Sequence, residues 1–242
     1  MTTTNSFPRR TFMWVTMFAI AMGFLENAVV VYMRALLYPQ GFVFPMVAIP
    51  PTLAITEILR EAATVVMLLG IGVLAGKSGI SRFAWFLYAF AIWDIFYYVF
   101  LKLILNWPES FMTWDILFLI PTVWIGPVIT PVIVSLTMVL LAMLIIYFDA
   151  RKGKANLNAR EWLLLIAGSS VLILAFIWDF SKFLLAHYRF VEFWSVPSDA
   201  LMKLSCLYIP VKFNWFLFCA AELIILSGIG SYWKRNWYRT EL

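Results

Sequence analysis

The chain has 242 residues, of which 64% are hydrophobic and 13% charged, and its mean hydropathy is +0.90. Soluble domains have about 45–50% apolar and about 25% charged residues, so this composition excludes an ordinary water-soluble fold and indicates a polytopic membrane protein. The formal net charge of +5 comes from basic residues scattered between apolar segments, which is typical of topology signals and does not indicate a nucleic-acid partner.

Six apolar segments, each long enough to span a bilayer, follow one another along the chain. They cover residues 12–37, 53–75, 83–105, 128–148, 162–186 and 213–233. Together they use most of the chain and leave no room for a soluble catalytic domain. The sequence therefore predicts an all-α membrane protein with six transmembrane helices, forming a single integral membrane domain over residues 1–242.

Basic residues are concentrated at alternate ends of the predicted spans. The short connections at 76–82 and 149–160 are basic, and so are the stretches near both ends of the chain. Eleven of the 18 basic residues belong to this set: Arg9, Arg10, Lys77, Arg82, Arg151, Lys152, Lys154, Arg160, Lys234, Arg235 and Arg239. The positive-inside rule then predicts that both termini are cytoplasmic.

The connections on the opposite, outer side are longer and rich in proline and aromatic residues. Residues 111–124 are apolar but too short to span a membrane, and Asp115 lies among them. We predict that this stretch is a re-entrant loop or an interfacial helix. Residues 198–212 occupy the corresponding place before the last span.

A short pattern recurs three times along the chain. An acid within an apolar span is followed eight residues later by a basic residue or histidine, and then by an Ile-Pro pair before the next span. The acids are Glu26, Asp94 and Asp179, the following residues are Arg34, Lys102 and His187, and the prolines are Pro50, Pro121 and Pro210. The recurrence predicts three pseudo-repeated helical hairpins, at about 11–76, 82–150 and 161–234, arranged around an axis along the membrane normal. For the first unit, the alternative is that the pattern matches by coincidence.

Acids inside apolar spans are the candidate functional residues. An ionised carboxylate is costly in hydrocarbon, so we expect these side chains to face the bundle interior. The candidate ligand- or ion-binding residues are Glu26, Glu57, Arg60, Glu61, Asp94, Asp179, Lys182 and Glu222. In this interpretation Arg60 and Lys182 are counter-charges, and Tyr97 and Tyr98 are the aromatic pair beside the acid site. The alternative is a set of interhelical ion pairs and hydrogen bonds that only fix the packing.

Other residues are predicted to have structural roles. Arg34 and Lys102 fall near the outer headgroups, where long basic side chains snorkel. His187 is expected to be a loop or interface residue, and Cys206 and Cys219 lack the spacing of a zinc site and are not expected to form a disulfide. The metal and any cofactor stay unknown.

Part of the sequence resembles a group of bacterial multi-pass integral membrane proteins that have no assigned activity. The resemblance covers roughly the first 150 residues and rests on residues 93–98 (WDIFYY), residues 113–121 (TWDILFLIP), Gly126-Pro127 and the trio Glu57, Arg60 and Glu61. It implies a protein of the bacterial inner membrane. The resemblance implies no mechanism and no catalytic residues.

Three functions stay open at this stage. The first is a small transporter or channel-like protein whose carboxylates bind a cation or relay protons. The second is a non-catalytic subunit of a larger membrane complex, with other membrane subunits or a second copy of the chain as partners besides the lipid bilayer. The third is an intramembrane enzyme acting on a lipid, although the missing haem, di-iron, zinc, phosphate-loop and serine-hydrolase motifs favour a protein that is not an enzyme.

Overall fold

A computed structural model describes residues 7–153, 155–188 and 198–238. These residues form seven α-helices and one β-hairpin. The elements are α1 (Arg9–Leu37), α2 (Pro51–Ala75), α3 (Gly79–Leu105), β1 (Trp114–Phe118), β2 (Trp124–Pro127), α4 (Ile129–Lys152), α5 (Ala159–His187), α6 (Ser198–Ser205) and α7 (Trp215–Tyr238). Lys154 and Arg239, two of the basic residues that predict the topology, lie outside the described residues.

Six of these helices, all except α6, are long and apolar enough to cross a membrane. This confirms the predicted all-α architecture with six segments that are long and apolar enough to span a membrane. Because consecutive spans run in opposite directions, the start of α1, the α2–α3 and α4–α5 connections and the end of α7 share one face, which we name the basic side. The face that carries the β-hairpin is named the hairpin side.

Capping side chains fix the starts of α3 and α5 on the basic side. Ser78 accepts a hydrogen bond from the N–H of Ser81 at 3.2 Å before α3, and Asn158 accepts one from the N–H of Glu161 at 2.8 Å before α5. In both cases the side chain of the third helical residue accepts a hydrogen bond from the backbone N–H of the capping residue. The caps satisfy N–H groups that have no partner within the helix, so both helices begin at defined residues.

Helix α3 is the centre of the first half of the bundle. It packs against α1, α2 and α4, while α5 packs mainly against α7 and the two halves meet where α4 contacts α7. Helices α1 and α2 make few direct contacts with each other. The second and third predicted hairpins are therefore closely packed helix pairs, whereas the helices of the first are held together mainly through α3.

The outer connections differ from one another in structure. Residues 114–127 form an antiparallel hairpin in which Asp115 pairs with Gly126 and Phe118 with Trp124. The interfacial-helix alternative for this stretch is thus wrong, and the strand pairing lets an apolar segment satisfy its own backbone where it packs on α5 and α4. The corresponding stretch before α7 contains the short helix α6 instead.

Glycines allow α3 to approach its neighbours closely. A Cβ added at Gly72 of α2 would lie 2.7 Å from the carbonyl oxygen of Arg82 and 2.8 Å from the Cβ of Phe86. A Cβ at Gly23 of α1 would lie 2.9 Å from the carbonyl oxygen of Trp93. Small residues at helix crossings are the usual way in which membrane helices pack backbone to backbone.

We expect Gly72→Ala to destabilise the protein by about 1–3 kcal/mol, because the added methyl group collides with the backbone of α3. Gly70→Ala is the matched control, since nothing lies within 4 Å of a Cβ at that position of the same helix, and it should be neutral or stabilising by about 0.5–1 kcal/mol. Unfolding of the purified protein would measure both. Equal effects of the two variants would contradict the close α2–α3 contact.

A second buried contact ties the two ends of the third predicted hairpin together. Arg235 near the end of α7 donates to both carboxylate oxygens of Glu161, at 2.8 and 2.7 Å, and to the carbonyl oxygen of Asn156 at 2.8 Å. Glu161 is fully buried in the first turn of α5. Its negative charge at a helix start and the positive charge of Arg235 at a helix end also complement both helix dipoles.

Arg235→Ala should lower the free energy of unfolding by about 3 kcal/mol, at the lower end of the range for breaking a buried ion pair because Arg235 keeps some solvent contact. Lys234→Ala is the control, since Lys234 is the exposed neighbour on the same turn. A denaturant titration of both variants would measure the difference. If Arg235→Ala unfolded like Lys234→Ala, the ion pair would not contribute to stability.

Candidate functional site

A cavity of about 580 Å³ lies between α1, α2, α3, the β-hairpin, α5 and α6. Five acids and two arginines line it: Glu26, Glu57, Glu61, Asp94, Asp115, Arg34 and Arg60. Five of the eight candidate residues from the sequence are therefore brought together, and Tyr97 and Tyr98 line the same space. The other lining side chains are mostly apolar.

Arg60 joins the acids of two helices. Its Nε donates to Oε2 of Glu57 at 2.8 Å on the same helix, and its Nη1 forms an ion pair with Oε1 of Glu26 on α1. The Thr64 hydroxyl donates to the other oxygen of Glu26 at 3.1 Å. The i, i+3 spacing of Glu57 and Arg60 along α2 favours the first contact, and the fold adds the second.

Arg34 forms a second, buried ion pair that the sequence did not predict. Its Nη2 donates to Oδ1 of Asp115 at 3.4 Å, and the Tyr98 hydroxyl donates to Oδ2 of the same carboxylate at 3.1 Å. The guanidinium lies 3.8 Å from the ring centroid of Trp107 and 4.8 Å from that of Phe42. Arg34 is only 9% exposed, so the snorkelling prediction is wrong. Burial is possible because the hairpin supplies Asp115 as a partner.

Glu61 and Asp94 differ from the other acids of the cavity. The backbone N–H of Leu119 donates to Oε2 of Glu61 at 2.9 Å, and the Ser135 hydroxyl donates to Oδ2 of Asp94 at 2.7 Å. Among the described residues, no ion pair within 4.0 Å includes either acid. These two carboxyl groups therefore line the cavity without a basic nitrogen within 4.0 Å. Arg60, the chain neighbour of Glu61, interacts with Glu61 electrostatically at a longer distance.

Three candidate residues do not line the cavity. Asp179 accepts a hydrogen bond from the Tyr208 hydroxyl at 2.7 Å, and Lys182 is exposed on α5. On that helix Phe180 and Leu184 line the cavity. Asp179 precedes Phe180 by one residue, or about 100° around the helix axis. The expected convergence of Asp179 and Lys182 with Asp94 is therefore not found, because the sequence alone does not set the rotation of α5.

Glu222 forms a separate polar contact between α7 and α4. It is buried, its Oε2 accepts a hydrogen bond from the Thr137 hydroxyl at 2.9 Å, and its Oε1 has no hydrogen-bond partner among the described residues. It does not line the cavity. Its place fits the structural alternative, a hydrogen bond between packed helices.

The cavity does not contain an arrangement of ligands typical of a metal centre. Within residues 7–153, 155–188 and 198–238, no group of three or more His, Cys, Asp and Glu side chains could hold a metal ion. Cys206 lines the cavity as a free thiol, and Cys219 is a free, exposed thiol on α7. The polar chemistry of the site is thus that of carboxyl, guanidinium, hydroxyl and aromatic groups.

Comparisons with protein-family models, with curated proteins and with solved structures find no match for this chain. Its class is therefore defined by its own structure. It is a membrane protein with six helices that are long and apolar enough to span a bilayer.

The pKa of Asp115 provides a test of the hairpin contact. Burial raises this pKa from 3.8 to about 6, although Arg34 and the Tyr98 hydroxyl favour the ionised form. Because the pKa of Asp115 is higher in the folded than in the unfolded protein, the protonated form of this carboxyl group stabilises the fold. This stabilisation is complete below the unfolded pKa of 3.8 and is lost as the pH rises through about 6. The shift corresponds to about 3 kcal/mol.

We expect the difference in unfolding free energy between the wild type and Asp115→Asn to decrease as the pH rises from about 4 to about 6 and then to level off. The amide cannot titrate, so the difference isolates this carboxyl group from the other acids. Thermal unfolding at a series of pH values would measure it. A constant difference over this range would show that Asp115 does not titrate there.

Proposed function

We propose that the protein is a small membrane carrier that binds a cation in this cavity and exchanges it for protons, with Glu61 and Asp94 as the exchanging acids. The observation that supports this most directly is the excess of acids over bases. Glu26 and Glu57 share Arg60, and Asp115 pairs with Arg34. Glu61 and Asp94 have only a backbone N–H and a hydroxyl group as close donors.

A carboxylate without a counter-charge is unstable in a poorly hydrated space. It becomes neutral by taking up a proton, or it attracts a cation. Both outcomes use the same oxygens, so a proton and a cation compete for them. This competition is the chemical basis of exchange. Exchange therefore requires at least one acid that is not already paired with an arginine.

The paired acids have a different role in this proposal. Arg60 connects α1 to α2, and Arg34 connects α1 to the hairpin. These pairs hold the walls in place around Glu61 and Asp94. Removing one member of such a pair leaves an uncompensated buried charge. Substitutions of the paired residues would therefore destabilise the fold, and this loss of stability would obscure an effect on transport.

We further propose that the basic side is cytoplasmic, that both termini lie there, and that the membrane is the bacterial inner membrane. The concentration of Lys and Arg on that side supports the orientation, and the resemblance of the first 150 residues supports the membrane. The cavity, which is lined partly by the β-hairpin, then lies toward the outer side. The three hairpin units stay part of this proposal, supported by the close pairing of α3 with α4 and of α5 with α7.

Transport can be tested in proteoliposomes that contain a trapped pH-sensitive dye and an outwardly directed proton gradient. Added K⁺, Na⁺ or tetramethylammonium should accelerate proton release from vesicles with the wild-type protein. Glu61→Gln and Asp94→Asn should each slow cation-dependent release by about tenfold, equal to about 1.4 kcal/mol, because an amide neither exchanges a proton nor attracts a cation.

Glu109→Gln is the matched control, since Glu109 is an exposed acid outside the cavity, and it should transport like the wild type. Proton release that is the same in Glu61→Gln, Asp94→Asn and the wild type would refute the carrier proposal. Co-purification with a second membrane protein at fixed stoichiometry, without transport, would favour the subunit hypothesis instead.

A further inference from the structure

The geometry points to an organic ammonium ion with an apolar tail as the cation that this cavity takes. Its charged group would lie beside Glu61 and Asp94, and its tail would lie against α5, α6 and the α1–α2 connection. This inference rests on the proposed cation binding and adds the substrate class. Three properties of the cavity support it.

The first property is the separation of polar and apolar lining. The charged side chains come from the spans α1, α2 and α3 and from the hairpin. By contrast, Met46 of the α1–α2 connection, Leu184 of α5, and Leu201 and Met202 of α6 are uncharged. The cavity thus has a charged region and, at α5 and α6, an apolar region. A small inorganic ion would use only the charged region, whereas an amphipathic cation complements both.

The second property is the set of aromatic rings that line the same cavity as the acids. Trp93 and Tyr97 of α3, the helix that carries Asp94, line the cavity, and so does Phe118, the chain neighbour of Leu119, whose N–H donates to Glu61. Aromatic faces attract cations, and several rings around a site are the usual means of recognising alkylated ammonium groups. Carboxylates and aromatic rings in one cavity therefore favour an organic ammonium group over a hydrated metal ion.

The third property is size. The volume of about 580 Å³ falls within the range of about 300–1,000 Å³ that is typical of sites for small organic molecules. Charge selects among such molecules. The cavity has five acids and two arginines, so a cation is favoured over a neutral or anionic molecule of the same shape.

The test is a binding series measured by calorimetry with the full-length protein in lipid nanodiscs, corrected with empty nanodiscs. The probes are K⁺, tetramethylammonium and the butyl-, hexyl- and octyltrimethylammonium ions, with octanol and octyl sulfate as neutral and anionic counterparts. We expect affinity to rise with chain length, by at most roughly fourfold per buried methylene. Octanol and octyl sulfate should bind at least about tenfold more weakly than octyltrimethylammonium.

Two variants distinguish the binding of the charged ammonium group from the binding of the apolar tail. Glu61→Gln should lower the affinity for every ammonium probe by a similar factor. Met202→Asn should reduce the gain in affinity per methylene, because it makes the apolar region polar. Leu207→Asn is the matched control, since Leu207 is exposed after α6 and does not line the cavity, and it should keep the wild-type dependence on chain length.

The outcomes distinguish this inference from the function on which it rests. If tetramethylammonium and K⁺ bind as tightly as the octyl compound, the tail assignment is wrong and the cation carrier proposal survives. If octanol or octyl sulfate binds as tightly as the octyl cation, charge does not select the ligand and the inference is overturned. If no cation binds at any chain length, both proposals fail.

Discussion

The guanidinium of Arg60 connects carboxylates of two helices that otherwise hardly touch. Glu57 is one turn away on α2, whereas Glu26 belongs to α1, and both acids are bound to the same arginine. Because α1 and α2 pack on α3 and not closely on each other, this contact fixes their relative positions across the cavity. Buried ion pairs often add little net stability compared with apolar residues of the same size. Here the pair instead determines which surfaces of α1 and α2 face the cavity.

The Arg34–Asp115 pair has the same effect on the hairpin. A strand pair of this length has little stability of its own, and it acquires a fixed position from its contacts with α5, from Asp115 and from the Glu61–Leu119 hydrogen bond. The hairpin in turn brings apolar and aromatic side chains to the cavity. One set of polar contacts therefore shapes both the charged and the apolar regions of the site.

The proposed exchange relies on the acids that these ion pairs do not include. Glu61 and Asp94 come from different helices, line one cavity and have no arginine or lysine nitrogen within 4.0 Å among the described residues. The ion pairs and the acids proposed to exchange are therefore different groups. Glu222, whose second oxygen lacks a partner in the described part of the chain, has no role in this scheme beyond its hydrogen bond to Thr137.

The sequence by itself determined the six apolar spans and favoured the Glu57–Arg60 contact, because each depends on residues close together in the chain. Apolar length and i, i+3 spacing are local properties. It also indicated which acids are costly to bury, and five of the eight candidate residues meet in one cavity.

Tertiary structure alone decided the partners of these groups. Arg34 and Asp115 are 81 residues apart, and no local pattern connects them. Asp94 and Asp179 share the tripeptide Ile-Trp-Asp, yet one lines the cavity and the other binds Tyr208. The physical reason is that the rotation of a helix about its axis depends on how its whole surface packs against its neighbours, so two identical short motifs can present their acids to different surroundings.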